Sequence, residues 1–96
     1  MNIQTIQSTT ADIFQKYHVR KAALFGSAAR GDDRSDSDID MLVELPERAS
    51  LFDFINLQLD LEDALGKKVD LVEYVMIKPA LKPFILNDQK PIYQPS

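Results

Sequence analysis

The sequence predicts one small α/β domain, because apolar patterns typical of helices alternate with patterns typical of strands along only 96 residues. A chain of this length forms a single domain, here residues 1–96, and buries roughly two-thirds of its unfolded surface, which is enough for one core. The apolar fraction of 45% and the charged fraction of 27% are those of an ordinary soluble globular protein. The other leading observation is a stretch from Leu24 to Val43, in which two glycines are followed by several aspartates and then an apolar run.

The charge and composition exclude several classes of protein. The formal net charge is −4, whereas a protein that holds long nucleic acid by its phosphates needs a basic surface. A small phosphate ligand remains compatible, because a divalent metal ion can supply the positive charge. The absence of cysteine excludes disulfides and thiolate metal sites. No apolar run is long enough to span a bilayer, and the N-terminus lacks the features of a signal peptide, so we expect a cytoplasmic protein without membrane contact.

Apolar spacing predicts two long helices. The first covers residues 3–17, and its marker residues are Ile3, Ile6, Ile13, Phe14 and Tyr17. The second covers residues 51–65, because Ser50 and Asp53 resemble a capping box and Gly66 suits the position after a helix C-terminus. Its apolar residues cover a wide arc: Leu51, Phe52, Phe54, Ile55, Leu57, Leu59, Leu61 and Leu65. The simpler interpretation is one broad core face; the alternative is that part of the arc meets a further helix or a partner.

Three strands are predicted between and after these helices. The near-continuous apolar run from Val19 to Phe25 is typical of a strand covered on both faces. Further strands are expected over residues 37–45 and 68–74. Alternation in the 37–45 strand puts two sets of side chains on opposite faces, with Ile39, Met41, Val43 and Leu45 on one and Asp38, Asp40, Leu42 and Glu44 on the other.

The remaining signals concern the ends of elements. His18 follows the first helix, where a histidine complements the helix dipole. Pro79 predicts the start of a short helix that runs to about Leu86, with Pro83 in an awkward position near its middle. A short extended piece is expected around residues 92 and 93.

Three features indicate chemistry when they are taken together: Gly26-Ser27 at a strand end, the pair Asp38 and Asp40, and Asp70 in a later strand. A glycine after a strand lets backbone approach a ligand closely, and free N–H groups behind it can cradle a triphosphate. Asp38 and Asp40 point the same way and can share two hard cations. If the strand of Asp70 lies beside theirs, Asp70 completes the second cation's shell and is placed to accept a proton from an incoming hydroxyl.

Each feature also has a simpler structural explanation. Gly26 alone fits a turn, and acids such as Asp36 and Asp38 often solvate a strand entry. Asp70 alone fits an exposed strand residue that pairs with Lys67 or Lys68. These explanations account for each residue separately but not for the three features together.

A calcium-binding loop is a further alternative. Asp36, Asp38, Asp40 and Glu47 fall on the first, third, fifth and twelfth positions of an EF-hand loop. The sixth position requires glycine, but Met41 stands there. We therefore expect residues 41–43 to belong to a strand and not to a calcium loop.

The same residues carry a family resemblance. Gly26-Ser27, ten residues, Asp38, one residue and Asp40 resemble the signature of the nucleotidyltransferase superfamily that includes DNA polymerase beta and kanamycin nucleotidyltransferase. The longer string is similar to the minimal nucleotidyltransferase branch, and reads Gly26-Ser27-x-x-Arg30-Gly31, five residues, then Ser37-Asp38-x-Asp40-x-x-Val43. The resemblance runs from Lys21 through the strand at Val69-Asp70-Leu71-Val72 to Tyr93.

The resemblance implies a nucleotidyltransferase fold, with a small mixed β-sheet and helices packed mainly on one face. It also implies two magnesium ions and a nucleoside triphosphate, ATP. The implied ligands of the metal are Asp38, Asp40 and Asp70, and the implied nucleotide-binding residues are Gly26, Ser27, Arg30 and Ser37. For Arg30, a phosphate contact and a structural ion pair both remain open.

The resemblance further implies a biological role. Small stand-alone members of this branch are commonly encoded beside HEPN-domain ribonucleases and act as their antitoxins, transferring AMP from ATP to a tyrosine of the toxin. We therefore expect a magnesium-dependent protein adenylyltransferase whose partner is a HEPN toxin. The alternative is an antitoxin that inhibits only by binding and occlusion. A small-molecule nucleotidyltransferase is less favoured, since a small acceptor usually needs a pocket from additional structure.

Overall fold

A computed structural model describes residues 2–26, 29 and 38–94 of the chain. Helices and strands follow one another along these residues in the order that the sequence predicts. In order they are α1 (Ile3–Lys16), β1 (Lys21–Leu24), β2 (Ile39–Glu44), α2 (Leu51–Leu65), β3 (Val69–Glu73), a 3-10 turn (Tyr74–Met76), α3 (Lys82–Asp88) and β4 (Lys90–Tyr93).

The four strands form one mixed sheet in the order β3-β2-β1-β4. β1 is antiparallel to both β2 and β4, whereas β2 and β3 are parallel. A parallel pair needs a crossover connection, and α2 provides it. Among the strands that the structure describes, β3 and β4 therefore lie at the two edges of the sheet.

The main hydrophobic core lies between one face of the sheet and the two long helices. Alternate residues of β2 point into it, and α2 contributes residues four apart. The fully buried members include Phe14 of α1, Ile39, Met41 and Val43 of β2, and Leu57 and Leu61 of α2. A smaller cluster of Ala23, Leu42 and Ile77 lies on the opposite face, where Ile85 and Leu86 of α3 pack on it. The predicted fold, with helices mainly on one face, is confirmed.

The two long helices begin and end with local signals. Ser50 Oγ accepts a hydrogen bond from the Asp53 N–H at 3.2 Å, and the Asp53 carboxylate accepts one from the Ser50 N–H at 2.9 Å. This is the predicted capping box. Gly66 follows α2 in the left-handed conformation, with φ of 66°. The predicted bounds of α2 are therefore correct at both ends.

α1 ends in a Schellman motif that has histidine where glycine is usual. His18 has φ of 57°, and its N–H donates to the Gln15 carbonyl at 3.1 Å. The Val19 N–H donates to the Phe14 carbonyl at 2.9 Å. His18 thus provides the left-handed residue that ends α1, in addition to standing at the negative end of the helix dipole.

The interpretation of the α2 arc as one broad core face is wrong. Leu57, Leu61 and Leu65 are buried, but four apolar residues on the other side are exposed. Their exposed fractions are 72% for Leu51, 75% for Phe52, 43% for Ile55 and 56% for Leu59. The arc is wider than the sheet and α1 together can cover.

The predicted position of the last helix also needs correction. Pro79 lies in a turn, and α3 begins at Lys82. Pro83 therefore stands in the first turn of α3, where the missing N–H of proline removes no helical hydrogen bond. The predicted extended piece is confirmed as β4.

Within the described ranges, no helix is long and apolar enough to cross a membrane.

Candidate active site

Asp40 and Asp70 lie directly opposite each other on the neighbouring parallel strands β2 and β3. Adjacent strands are about 4.8 Å apart, and paired residues project from the same face of the pleat. Asp38 is exposed and immediately precedes β2. The structure thus places Asp70 on the same side of the sheet as Asp40, which is the arrangement that the sequence analysis required.

The surroundings of Asp40 make its negative charge unfavourable. Burial raises the pKa of Asp40, and the charges of Asp70 and then Asp38 raise it further. Both effects act in the same direction, because each disfavours the ionised form. Over the described ranges no three His, Cys, Asp or Glu side chains are gathered closely enough to hold a metal ion. The three aspartates therefore influence one another across the sheet surface without forming a compact cluster.

Gly26 lies against the carboxylate of Asp40. A Cβ atom built on Gly26 would come within 2.6 Å of Asp40 Oδ2, and the residue has φ of 65°. Its neighbour Phe25 donates its N–H to the Asp40 carbonyl at 3.1 Å, which holds the end of β1 against the start of β2. The left-handed backbone conformation thus favours glycine at this position, and a Cβ atom there would force the Asp40 carboxylate to move.

Several predicted residues cannot be placed. Ser27, Arg30 and Ser37 lie outside the described residues, as do Gly31 and Asp36. Of the predicted site, the structure therefore describes Gly26, Asp38, Asp40 and Asp70.

The calcium-loop alternative is excluded by Met41. This residue, at the position where the loop requires glycine, is fully buried within β2. Its neighbours Leu42 and Val43 are also buried strand residues. The aspartates therefore precede and enter a strand of the central sheet.

The sequence did not predict a second polar group, around Tyr74, on the sheet face that carries Asp40 and Asp70. At the far end of β2, the Lys21 ammonium lies 4.5 Å from the ring centroid of Tyr74. The Tyr74 hydroxyl donates to Gln89 Oε1 at 2.8 Å. Burial, and then the charge of Glu44, raise the pKa of Tyr74. Strand register, which no local signal gives, brings Lys21 opposite Glu44. These contacts hold Tyr74 as a packed residue.

Residues 8–96 match the family model described as polymerase beta, nucleotidyltransferase. The chain belongs to this nucleotidyltransferase family. The match includes every residue of the candidate site, and it makes the protein an enzyme of the nucleotidyl-transfer class. The predicted family is confirmed.

Relatives and solved structures agree with this membership. A Methanocaldococcus jannaschii protein that bears the name protein adenylyltransferase is 46% identical over 92% of this chain and 95% of its own length. A solved minimal nucleotidyltransferase superposes with a TM-score of 0.83 at 33% identity, covering 95% of this chain and 96% of the other. The MNT antitoxin in complex with a tri-AMPylated HEPN toxin of Shewanella oneidensis gives a TM-score of 0.72 at 20% identity, covering 97% and 73%. This last likeness shows a shared fold.

Proposed function

We propose that this nucleotidyltransferase transfers AMP from ATP to a tyrosine of a HEPN-domain toxin in the cytoplasm and thereby neutralises it. The observation that carries the proposal is the pairing of Asp40 with Asp70 beside Gly26. Support for a protein acceptor comes from the M. jannaschii relative, whose name is protein adenylyltransferase. Support for the toxin comes from the shared fold of the S. oneidensis antitoxin.

In this proposal Asp38, Asp40 and Asp70, which do not form a metal-holding cluster in the structure, turn toward one another to hold two Mg²⁺ ions. The fit rests on two observations: the donors are all carboxylate oxygens, which suit hard cations, and Asp40 is held where burial, and then the charges of Asp70 and Asp38, oppose its ionisation. A cation at this point relieves that repulsion. When bound, the metal ions stabilise the negative charge that develops on the reacting oxygens.

The nucleotide phosphates lie on the β1 side of the site. Gly26 leaves room for them, because it has no side chain between the backbone and Asp40. Ser27, Arg30 and Ser37 complete the phosphate contacts in the proposal. Since β1 and β3 flank β2 on opposite sides, an acceptor that approaches over β3 is placed opposite the leaving group.

The reaction is an in-line displacement at the α-phosphorus. The tyrosine oxygen forms a bond to the α-phosphorus while the bond to the bridging oxygen of the pyrophosphate breaks. Asp70 accepts the proton of the tyrosine hydroxyl. Positioning and charge stabilisation supply most of the rate enhancement in such transfers.

The test is to incubate the protein with ATP, Mg²⁺ and the HEPN-domain protein encoded beside its gene, and to measure the intact mass of that partner. We expect the added mass of one or more AMP groups. Asp40→Asn should lower the rate by at least about 10³-fold while the protein remains folded. If the two proteins form a complex and the wild type adds no mass, the proposal is wrong.

A second candidate function is inhibition by binding alone. It is favoured by the exposed apolar residues of α2, since such a surface suits a protein interface. It predicts that Asp38→Asn still neutralises the toxin at the same stoichiometry. Loss of neutralisation by this variant, with binding unchanged, would instead favour catalysis.

A further inference from the structure

β3 is an edge strand whose outward-facing backbone groups alternate along it. The Ile39 N–H donates to the Lys68 carbonyl at 2.9 Å, so even-numbered residues of β3 bond to β2. The odd-numbered residues Val69, Leu71 and Glu73 therefore turn their N–H and C=O groups toward the open edge.

Only the first of these residues has its outward groups covered by α2. The Val69 N–H donates to Glu62 Oε2 at 2.9 Å, and the Val69 carbonyl accepts from Gln58 Nε2 at 2.9 Å. No partner among residues 2–26, 29 and 38–94 pairs with the N–H or C=O of Leu71 or with the N–H of Glu73. These three groups form a short open ladder.

An apolar pocket of about 560 Å³ lies beside the open ladder. Its lining residues include Leu51 and Phe54 of α2, Leu71, Val72 and Glu73 of β3, and Met76. Leu51 and Met76 are each 72% exposed. Unpaired strand-edge groups beside a pocket for a side chain are what an extended peptide requires in β-strand addition.

We propose that an extended segment of the protein substrate pairs with the β3 edge at Leu71 and Glu73, and so delivers its acceptor residue to Asp70. The inference rests on the proposed function, because it names how that function's acceptor is held. The residue opposite Leu71 directs an apolar side chain toward the pocket beside α2. Its neighbour in sequence then projects from the other face of the strand, the face that carries Asp70. The acceptor tyrosine is thus adjacent in sequence to an apolar residue.

Charge favours a foreign segment over a second copy of this chain. Glu73 is the charged residue of the pocket lining, so a basic residue in the segment is attracted to it. Each copy of the chain carries a net charge of −4, and two copies repel. Gln58 and Glu62 also cover the edge at Val69, which leaves only a short length for another β3 to pair with.

The first experiment compares Glu73→Pro with Glu73→Ala. Glu73 has φ of −82°, which proline adopts without strain. Both variants lose the carboxylate, but only the proline variant loses the outward N–H. For AMP transfer to the HEPN-domain partner, we expect kcat/KM of Glu73→Pro to fall about tenfold below that of Glu73→Ala. The KM for ATP and the melting temperature should be the same in both.

The second experiment measures hydrogen exchange at the amides of Leu71 and Glu73 with and without the partner. Both amides should become protected in the complex. Protection of these amides in the protein alone, together with concentration-dependent dimerisation, would assign the edge to a second copy and overturn the proposal.

A third experiment uses a pool of short synthetic peptides with an apolar–tyrosine centre as the probe. A control pool has a glycine between the two residues, which turns the tyrosine to the other face. The first pool should accept AMP faster than the control pool. Leu51→Ser should lose this preference, whereas Phe52→Ser, equally exposed but absent from the pocket, should keep it.

The outcomes separate this inference from the proposed function. Equal transfer by Glu73→Pro and Glu73→Ala, with unchanged exchange at Leu71 in the complex, refutes strand pairing while AMP transfer stands. If the wild type transfers no AMP, the proposed chemistry fails. Protection of Leu71 by the bound partner then still tests whether the edge is a docking site, and its absence rejects that as well.

Discussion

Two glycines show how the same backbone conformation serves different purposes at single residues. Gly26 and Gly66 have φ of 65° and 66°. Around Gly66 there is open space, whereas Gly26 faces the Asp40 carboxylate. Gly66 ends a helix, and Gly26 brings the end of β1 against an acid of the candidate site.

Alanine substitution separates these roles. Gly66→Ala should destabilise the protein by about 1 kcal/mol, the cost of a left-handed conformation for a residue with a side chain. Gly26→Ala has the same conformational cost and an additional clash with Asp40, so it should destabilise the protein more and weaken nucleotide binding. Urea unfolding and ATP titration measure the two effects. Equal losses of stability, with ATP affinity retained by Gly26→Ala, would contradict the close approach.

The sequence selects candidate site residues, but it leaves their arrangement in space open. The motif spacing selects Asp38 and Asp40, because both the order and the distance along the chain are specific. That Asp70 stands opposite Asp40 depends on parallel pairing of β2 with β3. This pairing is a tertiary property, which local patterns leave open.

At the scale of elements, α2 is the helix most clearly encoded by its own residues. Ser50 and Asp53 satisfy the free N–H groups at its start, and Gly66 ends it. The start of α3 was predicted wrongly at Pro79, because a proline is compatible with a turn as well as with the first turn of a helix. Contacts of α3 with the sheet decide the actual start at Lys82.

Removal of the α2 cap gives a prediction for this element. Ser50→Ala should cost about 1 kcal/mol of unfolding free energy, because the Asp53 N–H loses its acceptor. Ser8→Ala is the matched control, since Ser8 is exposed within α1 and its hydroxyl only donates to the Thr5 carbonyl. Thermal unfolding of both variants checks this. The capping role is refuted if the two variants melt together.

A hydrogen bond between the two long helices gives a prediction about pH. The Tyr17 hydroxyl donates to Asp60 Oδ2 at 2.6 Å. This bond, followed by the one from Lys16, lowers the pKa of Asp60 below 3.8. The bond to Asp60 likewise raises the pKa of Tyr17 above 10.0. Its stabilisation is therefore lost as pH falls through the acid range, when Asp60 is protonated, and as pH rises through the alkaline range, when Tyr17 ionises.

Tyr17→Phe should accordingly destabilise the protein most between about pH 5 and 9, with a smaller penalty on both sides. Urea unfolding of the wild type and the variant across this range measures the penalty. Asp60→Asn removes the carboxylate, so its penalty should likewise shrink in acid. A penalty for Tyr17→Phe that does not vary with pH would show that ring packing, not the hydrogen bond, is responsible.

At the scale of the whole molecule, α2 has one face in the core and one face in solvent. The helices and sheet leave Leu51, Phe52, Ile55 and Leu59 uncovered. The spacing of these apolar residues predicted that they share one helix. It gave no information on how much of the helix surface other elements cover. The size of a core depends on the number of elements that meet there, which is not a local property.

Two leucines of α2 test the difference between its buried face and its exposed face. Leu57→Ala should cost about 2–5 kcal/mol, because Leu57 is fully buried in the main core. Leu59→Ala removes the same atoms from a side chain that is 56% exposed, and should cost well under half as much. Chemical denaturation of both variants gives the comparison. Similar losses would mean that the outer face of α2 is covered in solution.

In the proposed mechanism, the crossover between β2 and β3 also determines when the enzyme becomes competent during its synthesis. Asp40 leaves the ribosome first, and the whole of α2 must follow before Asp70 emerges. Until then β2 has no neighbour on that side, and the nascent chain has only part of its acidic centre. A protease cut in the loops that flank α2 would sever the only covalent link between the two acids, while leaving each strand chemically intact.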